Sequence, residues 1–219
     1  MVSVDDHPVI SRQRLADQVY AVLRGQILAR ELVPGDHLSV PVLAETLGLS
    51  RSPVREAVQR LVVEGLAVEE FHRGARVAGV DATDLADVYA VRGVLEGLAA
   101  RLAAGRRDAA LLTVLRASVA EHGAAIKAGD EQAIIAADQA FHQAVLDAAR
   151  NEHLTRALGP LLGRAQVAML SGDLSRWPRK ALAEHRAILA AIRMGDAEAA
   201  QAAASAHVQA VLTRHQELG

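Results

Sequence analysis

Two residues four positions apart, Asp138 and His142, have the types and the spacing of paired metal ligands. On a helix, side chains at this spacing project from one face, one turn apart, and reach a single ion. His185 and His207 fall in two further segments with helical periodicity, so three antiparallel helices would direct all four groups into the centre of a bundle. One carboxylate and three imidazoles suit a borderline divalent ion such as zinc, nickel or manganese. These residues therefore predict one divalent metal ion per chain.

The same four residues also fit a set of structural core side chains. An Asp and a His four residues apart occur by chance, and the chain has nine histidines, several of which must fall near apolar segments. The chain has no cysteine, so any metal site consists of His and carboxylate. Spacing alone does not separate the two interpretations. His122, His153 and His215 have no such partners in the sequence, and we expect them to be surface or structural residues.

Arg92 is a charged residue in a mostly apolar segment with helical periodicity. It can pair with Glu96 one helical turn further on, which would give it a purely structural role. It can also offer its planar fork of N–H groups to the carboxylate of a small effector. The sequence leaves both roles open, and we carry Arg92 forward as a candidate effector-binding residue.

A second group of polar residues gathers at the start of a predicted helix that runs to about residue 64. An arginine in such a position can hydrogen-bond guanine in the major groove, and a serine near a helix start can bind phosphate. The arginines also fit the solvated face of an amphipathic helix. The first 80 residues hold nine arginines and ten acidic residues, so any DNA contact is a local patch. The candidates are Ser50, Arg51, Ser52 and Arg55.

Three helices and a hairpin are predicted to position that patch. After a flexible tail at residues 1–10, apolar residues recur at helical spacing to about Leu28. A second short helix ends at Gly48, which lets the next helix cross it steeply, as in a helix-turn-helix. Residues 66–80 are β-prone and predict a two-stranded wing. Its tip, His72, Arg73 and Gly74, is placed to touch phosphate or the minor groove.

From residue 84 onward the pattern is helical nearly throughout and predicts an antiparallel bundle of about six helices. Only 2% of the residues are aromatic, which favours a mostly α fold packed through small and aliphatic side chains. We therefore expect a winged helix-turn-helix domain over residues 11–80 and an α-helical effector-binding and dimerisation domain over 84–219. The predicted breaks are Gly105, Gly129-Asp130, Asn151-Glu152, Gly159-Pro160, Trp177-Pro178 and Gly195-Asp196.

The segment from Leu47 to Val58, with sequence LGLSRSPVREAV, resembles the signature of the GntR family of bacterial transcriptional regulators. The resemblance extends over about residues 11–80 and includes Leu32 to Asp36, Gly65-Leu66 and Arg73-Gly74. It implies a winged helix-turn-helix that binds a palindromic operator as a homodimer. It also implies that Arg51, Arg55 and the wing tip contact the DNA.

The four candidate ligands, with Phe141 before His142 and Glu184 before His185, resemble the metal set of the FCD ligand-binding domain of the FadR-like branch of that family. The segments Val91–Glu96 and Asn151–Leu154 are similar to the first helix and the central turn of that domain. This resemblance implies a regulator, in many relatives a repressor, whose operator affinity changes when a small organic acid binds at the metal.

Two alternatives remain for the second half of the chain. A His and Asp site with open positions also suits a metal-dependent hydrolase, but no Gly-x-Ser-x-Gly motif is present and an enzyme would leave the first 80 residues without a role. The metal could instead be purely structural. No uncharged apolar run approaches the ~18 residues that span a bilayer, so we expect a cytoplasmic protein with no membrane partner.

Overall fold

The computed structural model describes residues 9–70, 74–79, 82–106, 108–171 and 177–217. The chain divides into two compact units, Met1–Gly79 and Val80–Gly219. The fold is mostly helical, as predicted, with a small sheet confined to the first unit.

The first unit is a winged helix-turn-helix. Helix α1 packs across α3, and α2 packs against the same helix. Gly48 ends α2 in the left-handed conformation (φ 65°), which a residue with a Cβ adopts only at a cost, and so allows the tight turn into α3. The elements are α1 (Val9–Leu28), β1 (His37–Leu38), α2 (Val40–Leu47), α3 (Arg51–Val63), β2 (Ala67–Glu70) and β3 (Gly74–Val77).

The sheet of this unit has three strands where the sequence predicts a two-stranded wing. β3 pairs antiparallel with β2, as expected, and on its other side with β1, giving the order β1-β3-β2. β1 is only two residues long, too short for an alternating pattern to mark it. Its Leu38 is fully buried, so the extra strand closes the core beneath the wing.

Helix α1 also begins earlier than expected. The predicted tail at residues 1–10 is too long, because the backbone is already helical at Val9. Val9, Ile10 and Ser11 contain no helix breaker, and each residue added to an existing helix gains a backbone hydrogen bond.

The second unit is a bundle of six helices within the described residues, in agreement with the prediction. α4 packs along α9, α5 lies between α6 and α8, and α7 packs on α4 and α6. Asp108, Asp130 and Asp196 cap α5, α6 and α9 by accepting backbone N–H groups. The helices are α4 (Ala82–Arg106), α5 (Ala109–Ala128), α6 (Glu131–Ala149), α7 (Glu152–Ser171), α8 (Pro178–Met194) and α9 (Ala197–Gln216).

One predicted break is wrong: α7 continues through Gly159-Pro160. A proline inside a helix removes one hydrogen bond and costs about 3 kcal/mol in an isolated helix. Here Leu158 is buried in the core, and Leu161 and Leu162 pack against it on the other side of the proline. Burial of leucines on both sides, each contributing roughly 1.5–3 kcal/mol when complete, offsets that cost.

By length and composition, α5 is the one helix of the described segments that is apolar enough to cross a membrane. Leu111, Leu115 and Val119 form its buried side, which packs against α6 and α8. These three residues belong to the bundle core, whereas most of the apolar window, including Val114, lies outside it.

Candidate metal centre and nucleic-acid interface

The four predicted metal ligands meet inside the helical bundle. Asp138 and His142 come from α6, His185 from α8 and His207 from α9, and all four are buried. The Nε2 atoms of His142 and His207 lie 3.3 Å apart. Asp138 directs one carboxylate oxygen to within 3.8 Å of His142 Nε2 and the other to within 3.5 Å of His185 Nε2.

These donor atoms fit a divalent ion. Ligands bound at about 2.1 Å from one ion lie at most about 4.2 Å from each other, and the three measured separations are all shorter. Neither ring nitrogen of His185 has a hydrogen-bond partner among the described residues, although the side chain is fully buried. Such an unpaired polar group costs about 1–3 kcal/mol, which binding of an ion at Nε2 would offset.

Two carboxylates orient the histidines from behind. Glu96 Oε2 lies 2.5 Å from Nδ1 of His142, and Glu184 Oε2 lies 2.7 Å from Nδ1 of His207. Each carboxylate accepts the Nδ1 proton, which leaves the Nε2 lone pair facing the centre. This is the usual arrangement behind histidines that bind metals.

Each of these two carboxylates is hydrogen-bonded by a different arginine. Arg92 Nε donates to Glu96 at 2.7 Å, and Arg214 donates to both oxygens of Glu184 at 2.7 and 2.9 Å. The Arg92–Glu96 pair was visible as a helical i, i+4 spacing. The Glu184–Arg214 pair was missed because its members lie thirty residues apart on α8 and α9, and no local pattern connects them.

Burial and charge set the protonation of these groups. Burial alone would raise the pKa of Glu184, but the hydrogen bonds from Arg214 and His207 outweigh it and lower the pKa to about 2. Burial opposes charge on His142 as well, yet Glu96 and Asp138 raise its pKa, so in the absence of an ion this imidazole favours an extra proton, which a metal would displace from Nε2. At His185 burial, reinforced by the neighbouring histidines, holds the pKa well below its usual range. A neutral imidazole is the form that binds a metal.

A small cavity of about 40 Å³ is lined in part by three of the four ligands, Asp138, His142 and His207. Arg92 lines it as well, with its guanidinium 4.5 Å from the ring centre of Tyr89. The two roles considered for Arg92 are therefore compatible, since it pairs with Glu96 and also borders the cavity.

Two further donors in the cavity wall were not singled out from the sequence. The Tyr89 hydroxyl and Trp177 Nε1 are buried. The hydroxyl lies beside the Arg92 guanidinium, itself a donor, and neither the hydroxyl nor Trp177 Nε1 has an acceptor within the described segments. Burial raises the pKa of the Tyr89 hydroxyl, so it stays protonated as a donor. A tyrosine and a tryptophan carry no motif by themselves, and only the fold brings them to this wall.

His122 also lies in this core, which corrects part of the prediction for it. Its side chain is 1% exposed, so it is not a surface residue. It stands 5.4 Å from His185 between ring centres, and His122, Asp138 and His185 each offer a ligand atom within 4.8 Å of the others. No local pattern indicates this position, because Asp138 and His185 lie on other helices.

The DNA-reading candidates lie on the exposed side of α3. Ser50, Arg51, Ser52 and Arg55 are exposed at its start. Gly74 is exposed at the start of β3, and its φ of 88° lies in the left-handed region that favours glycine. His72 and Arg73 lie outside the described residues. The opposite side of α3 is buried through Pro53, Val54, Ala57, Val58 and Leu61.

The arginines of α3 differ in what they contact. Arg60 donates to Asp17 at 2.5 Å and lies 4.1 Å above the ring of Tyr20 on α1. Arg51 and Arg55 have no hydrogen bond or ion pair with any described residue. Arg60 therefore joins two helices, whereas Arg51 and Arg55 are available to an outside partner.

Comparison with known proteins finds similarity over both units. Residues 15–77 match the family described as bacterial regulatory proteins, gntR family, and residues 87–210 match the FCD domain. A probable D-xylose utilization operon transcriptional repressor of Paenarthrobacter nicotinovorans is 34% identical over 93% of this chain and 89% of its own length. The HTH-type transcriptional repressor RspR of Escherichia coli is 26% identical over 91% and 88%. The solved structure of E. coli McbR/YncC superimposes with a TM-score of 0.74 and 26% identity, covering 99% of this chain and all of that one.

Proposed function

The chain belongs to the GntR family of bacterial regulatory proteins and carries an FCD domain in its second half, and from that premise we propose that it is a repressor controlled by a small organic acid bound beside a divalent metal ion. Two similar proteins are named as transcriptional repressors. The observation that carries the proposal is the convergence of Asp138, His142, His185 and His207 beside a cavity that also contains Arg92.

The four residues would hold the ion, and Glu96 and Glu184 would keep the histidines oriented. When bound, the ion would supply an open position for an oxygen of the effector. The room in the cavity, about 40 Å³, corresponds to roughly three water molecules. That volume suits a carboxylate group and little more in this conformation, so we infer a small acid as the effector.

Donors in the cavity wall favour the same class of ligand. Arg92 keeps N–H groups beyond the one it gives to Glu96, and the Tyr89 hydroxyl and Trp177 Nε1 have no geometric partner among the described residues. Unsatisfied buried donors are unfavourable until an acceptor binds. A carboxylate has acceptor sites for several such groups at once.

For DNA binding, we propose a homodimer that places one α3 helix in each of two successive major grooves of a palindromic operator. On α4, Val91, Val94 and Leu98 are exposed at spacings of three and four residues, so they form one apolar stripe. A contiguous apolar surface of this kind favours burial against a second subunit. Binding of the acid would favour one arrangement of the bundle and thereby change the distance between the two winged helix-turn-helix domains of the dimer.

Metal content is the first measurement. Protein purified without chelator should carry close to one zinc, nickel or manganese ion per chain by mass spectrometry. The His142→Ala, His185→Ala double variant should carry none, whereas His153→Ala, which alters an exposed histidine on α7, should keep the ion. Absence of an ion from the unmodified protein would reject the metal centre but leave the DNA-binding half of the proposal intact.

A purely structural metal is the second candidate, because all four ligands are buried between helices. The two candidates differ in what the metal does for the effector. If the metal binds the acid, removing the ion should abolish the response of operator binding to small carboxylates while the protein remains folded. If the metal is structural, its removal should unfold the bundle.

A further inference from the structure

His122 is a buried imidazole without any hydrogen bond. It is 1% exposed on α5, and neither of its ring nitrogens has a partner within the described part of the chain. A buried donor and a buried acceptor left unpaired each cost about 1–3 kcal/mol, so a leucine at this position would be more favourable for the bundle alone. The side chain therefore fits a partner other than the protein itself.

The surroundings of His122 indicate what that partner is. His122 shares its position with Asp138 and His185, and the three residues offer ligand atoms within 4.8 Å of one another. Asp138 and His185 also belong to the set that closes around His142 and His207. His122 thus borders the metal centre through two of its four proposed ligands.

We propose that His122 is a fifth protein ligand of this centre, so that one ion is held by Asp138 and four imidazoles. The proposal rests on the metal centre proposed above. Two ligands at about 2.1 Å from an ion lie at most about 4.2 Å apart. His122 is grouped with Asp138 and His185 but not with His142 and His207. Its ring must therefore move towards those two histidines when one ion binds all five residues.

A fifth protein ligand changes what the centre can bind. An octahedral ion with five protein ligands keeps one open position, whereas four ligands would leave two. An organic acid would then coordinate through a single oxygen, and its other oxygen would remain for a donor such as Arg92. Five ligands also favour an octahedral ion such as nickel or manganese over zinc, which prefers four in closed sites.

The test compares nickel binding by the unmodified protein and by His122→Leu. Leucine removes both nitrogens and keeps an apolar side chain, so the metal-free variant should be as stable as the unmodified protein or more so. We expect its nickel affinity, measured in competition with a chelator, to fall at least tenfold, since loss of a mere outer partner of a ligand already costs about that much. X-ray absorption at the nickel edge should count four imidazoles in the unmodified protein and three in the variant.

Ser118→Ala is the matched control, because Ser118 is buried one turn earlier on α5 and, among the described residues, its hydroxyl donates to the backbone oxygen of Leu115. It should leave affinity and imidazole count unchanged. If His122→Leu proves unfolded, His122→Phe keeps a ring without a donor atom and serves the same comparison.

Three results would contradict the proposed role of His122 as a ligand. Equal affinity and equal imidazole count in His122→Leu would overturn the role of His122 while leaving the four-ligand centre in place. Two nickel ions per chain in the unmodified protein would overturn the single shared ion. No nickel in the unmodified protein would reject the metal centre itself, and His122 with it.

Discussion

Single residues of α3 separate a DNA contact from a structural one. Arg60 is engaged with Asp17 and Tyr20, whereas Arg55 is exposed and has no described partner. Both are arginines on the same short helix, and the sequence favours Arg55 only because it lies nearer the start of the helix and within the family resemblance. Their contacts give an independent reason to expect different roles.

Arg55→Ala should weaken operator binding without destabilising the fold. Loss of a bidentate arginine contact to a base costs about 1–3 kcal/mol, roughly 5- to 150-fold in affinity, and relaxes specificity at that base pair. Fluorescence anisotropy with the operator at fixed salt would measure it. Arg116→Ala, at an exposed position on α5, is the control and should bind like the unmodified protein. If the unmodified protein and both variants bind the operator with equal affinity, the DNA-recognition surface does not include Arg55.

Tyr20 links α1 to the end of α3 and should make the first unit sensitive to alkali. Its hydroxyl donates to Glu64 at 2.5 Å. Burial, together with this bond and the charge of Glu64, raises the pKa of Tyr20 to about 12, and the nearby Arg24 and Arg60 oppose the shift. Because the pKa is raised in the folded state, the stabilisation is complete below the unfolded value of about 10 and is lost as the pH rises towards 12.

Tyr20→Phe tests this. At pH 8 the variant should have a free energy of unfolding lower by about 1 kcal/mol, the net contribution of one hydrogen bond. The difference between the two proteins should shrink between pH 10 and 12, as followed by urea denaturation and circular dichroism. A difference that stays constant over that range would show that the bond does not depend on the phenolic proton.

At the scale of elements, local signals account for most helix boundaries. Gly48, Gly129 and Gly195 end helices in the left-handed conformation, and the sequence marked all three as breaks. The errors arose where packing overrides local preference, as at Pro160, or where an element is too short for a pattern, as in β1. The sequence also could not predict the partners of His122 and Glu184, because those partners lie on other helices and no local pattern connects them.

The contact between α4 and α9 depends on a small residue at position 97. A Cβ added at Gly97 would collide with Ser205 Oγ and approach the backbone oxygen of Gln201 to 3.3 Å. Ser205 cannot yield freely, because its hydroxyl donates to the carbonyl of Gly93 at 2.7 Å. Gly97→Ala should therefore destabilise the bundle by about 1–3 kcal/mol through overpacking.

Gly105 offers the matched control near the end of α4, since a Cβ there meets nothing within 4 Å. Gly105→Ala should leave stability unchanged or raise it by up to about 1 kcal/mol, because alanine loses less backbone entropy in a helix. Chemical denaturation of both variants would measure the contrast. Equal effects would mean that α4 and α9 separate without cost at this position.

At the scale of the whole molecule, the two structural units coincide closely with the matched families. The first unit contains the gntR match at residues 15–77, and the second contains the FCD match at 87–210. The sequence predicts a boundary between residues 80 and 84 because a turn-rich segment with β-forming residues gives way there to helical periodicity. It could not predict the surface through which two chains would meet, because exposed apolar residues become visible only when the helices are packed.

Val94 tests the proposed dimer, because it is the most exposed member of the α4 stripe, at 70%. Val94→Lys would bury a charge if this stripe lies between two subunits. We therefore expect analytical ultracentrifugation to find a monomer for the variant and a dimer for the unmodified protein. Linked binding to two half-sites raises affinity by about 10²–10⁴ over one, so operator affinity should fall by a factor in that range. Metal content should stay the same.

Val114→Lys is the control, because Val114 is a 54% exposed valine on α5; this variant should remain dimeric and bind DNA normally. A dimer that survives Val94→Lys would place the interface on another face of the bundle.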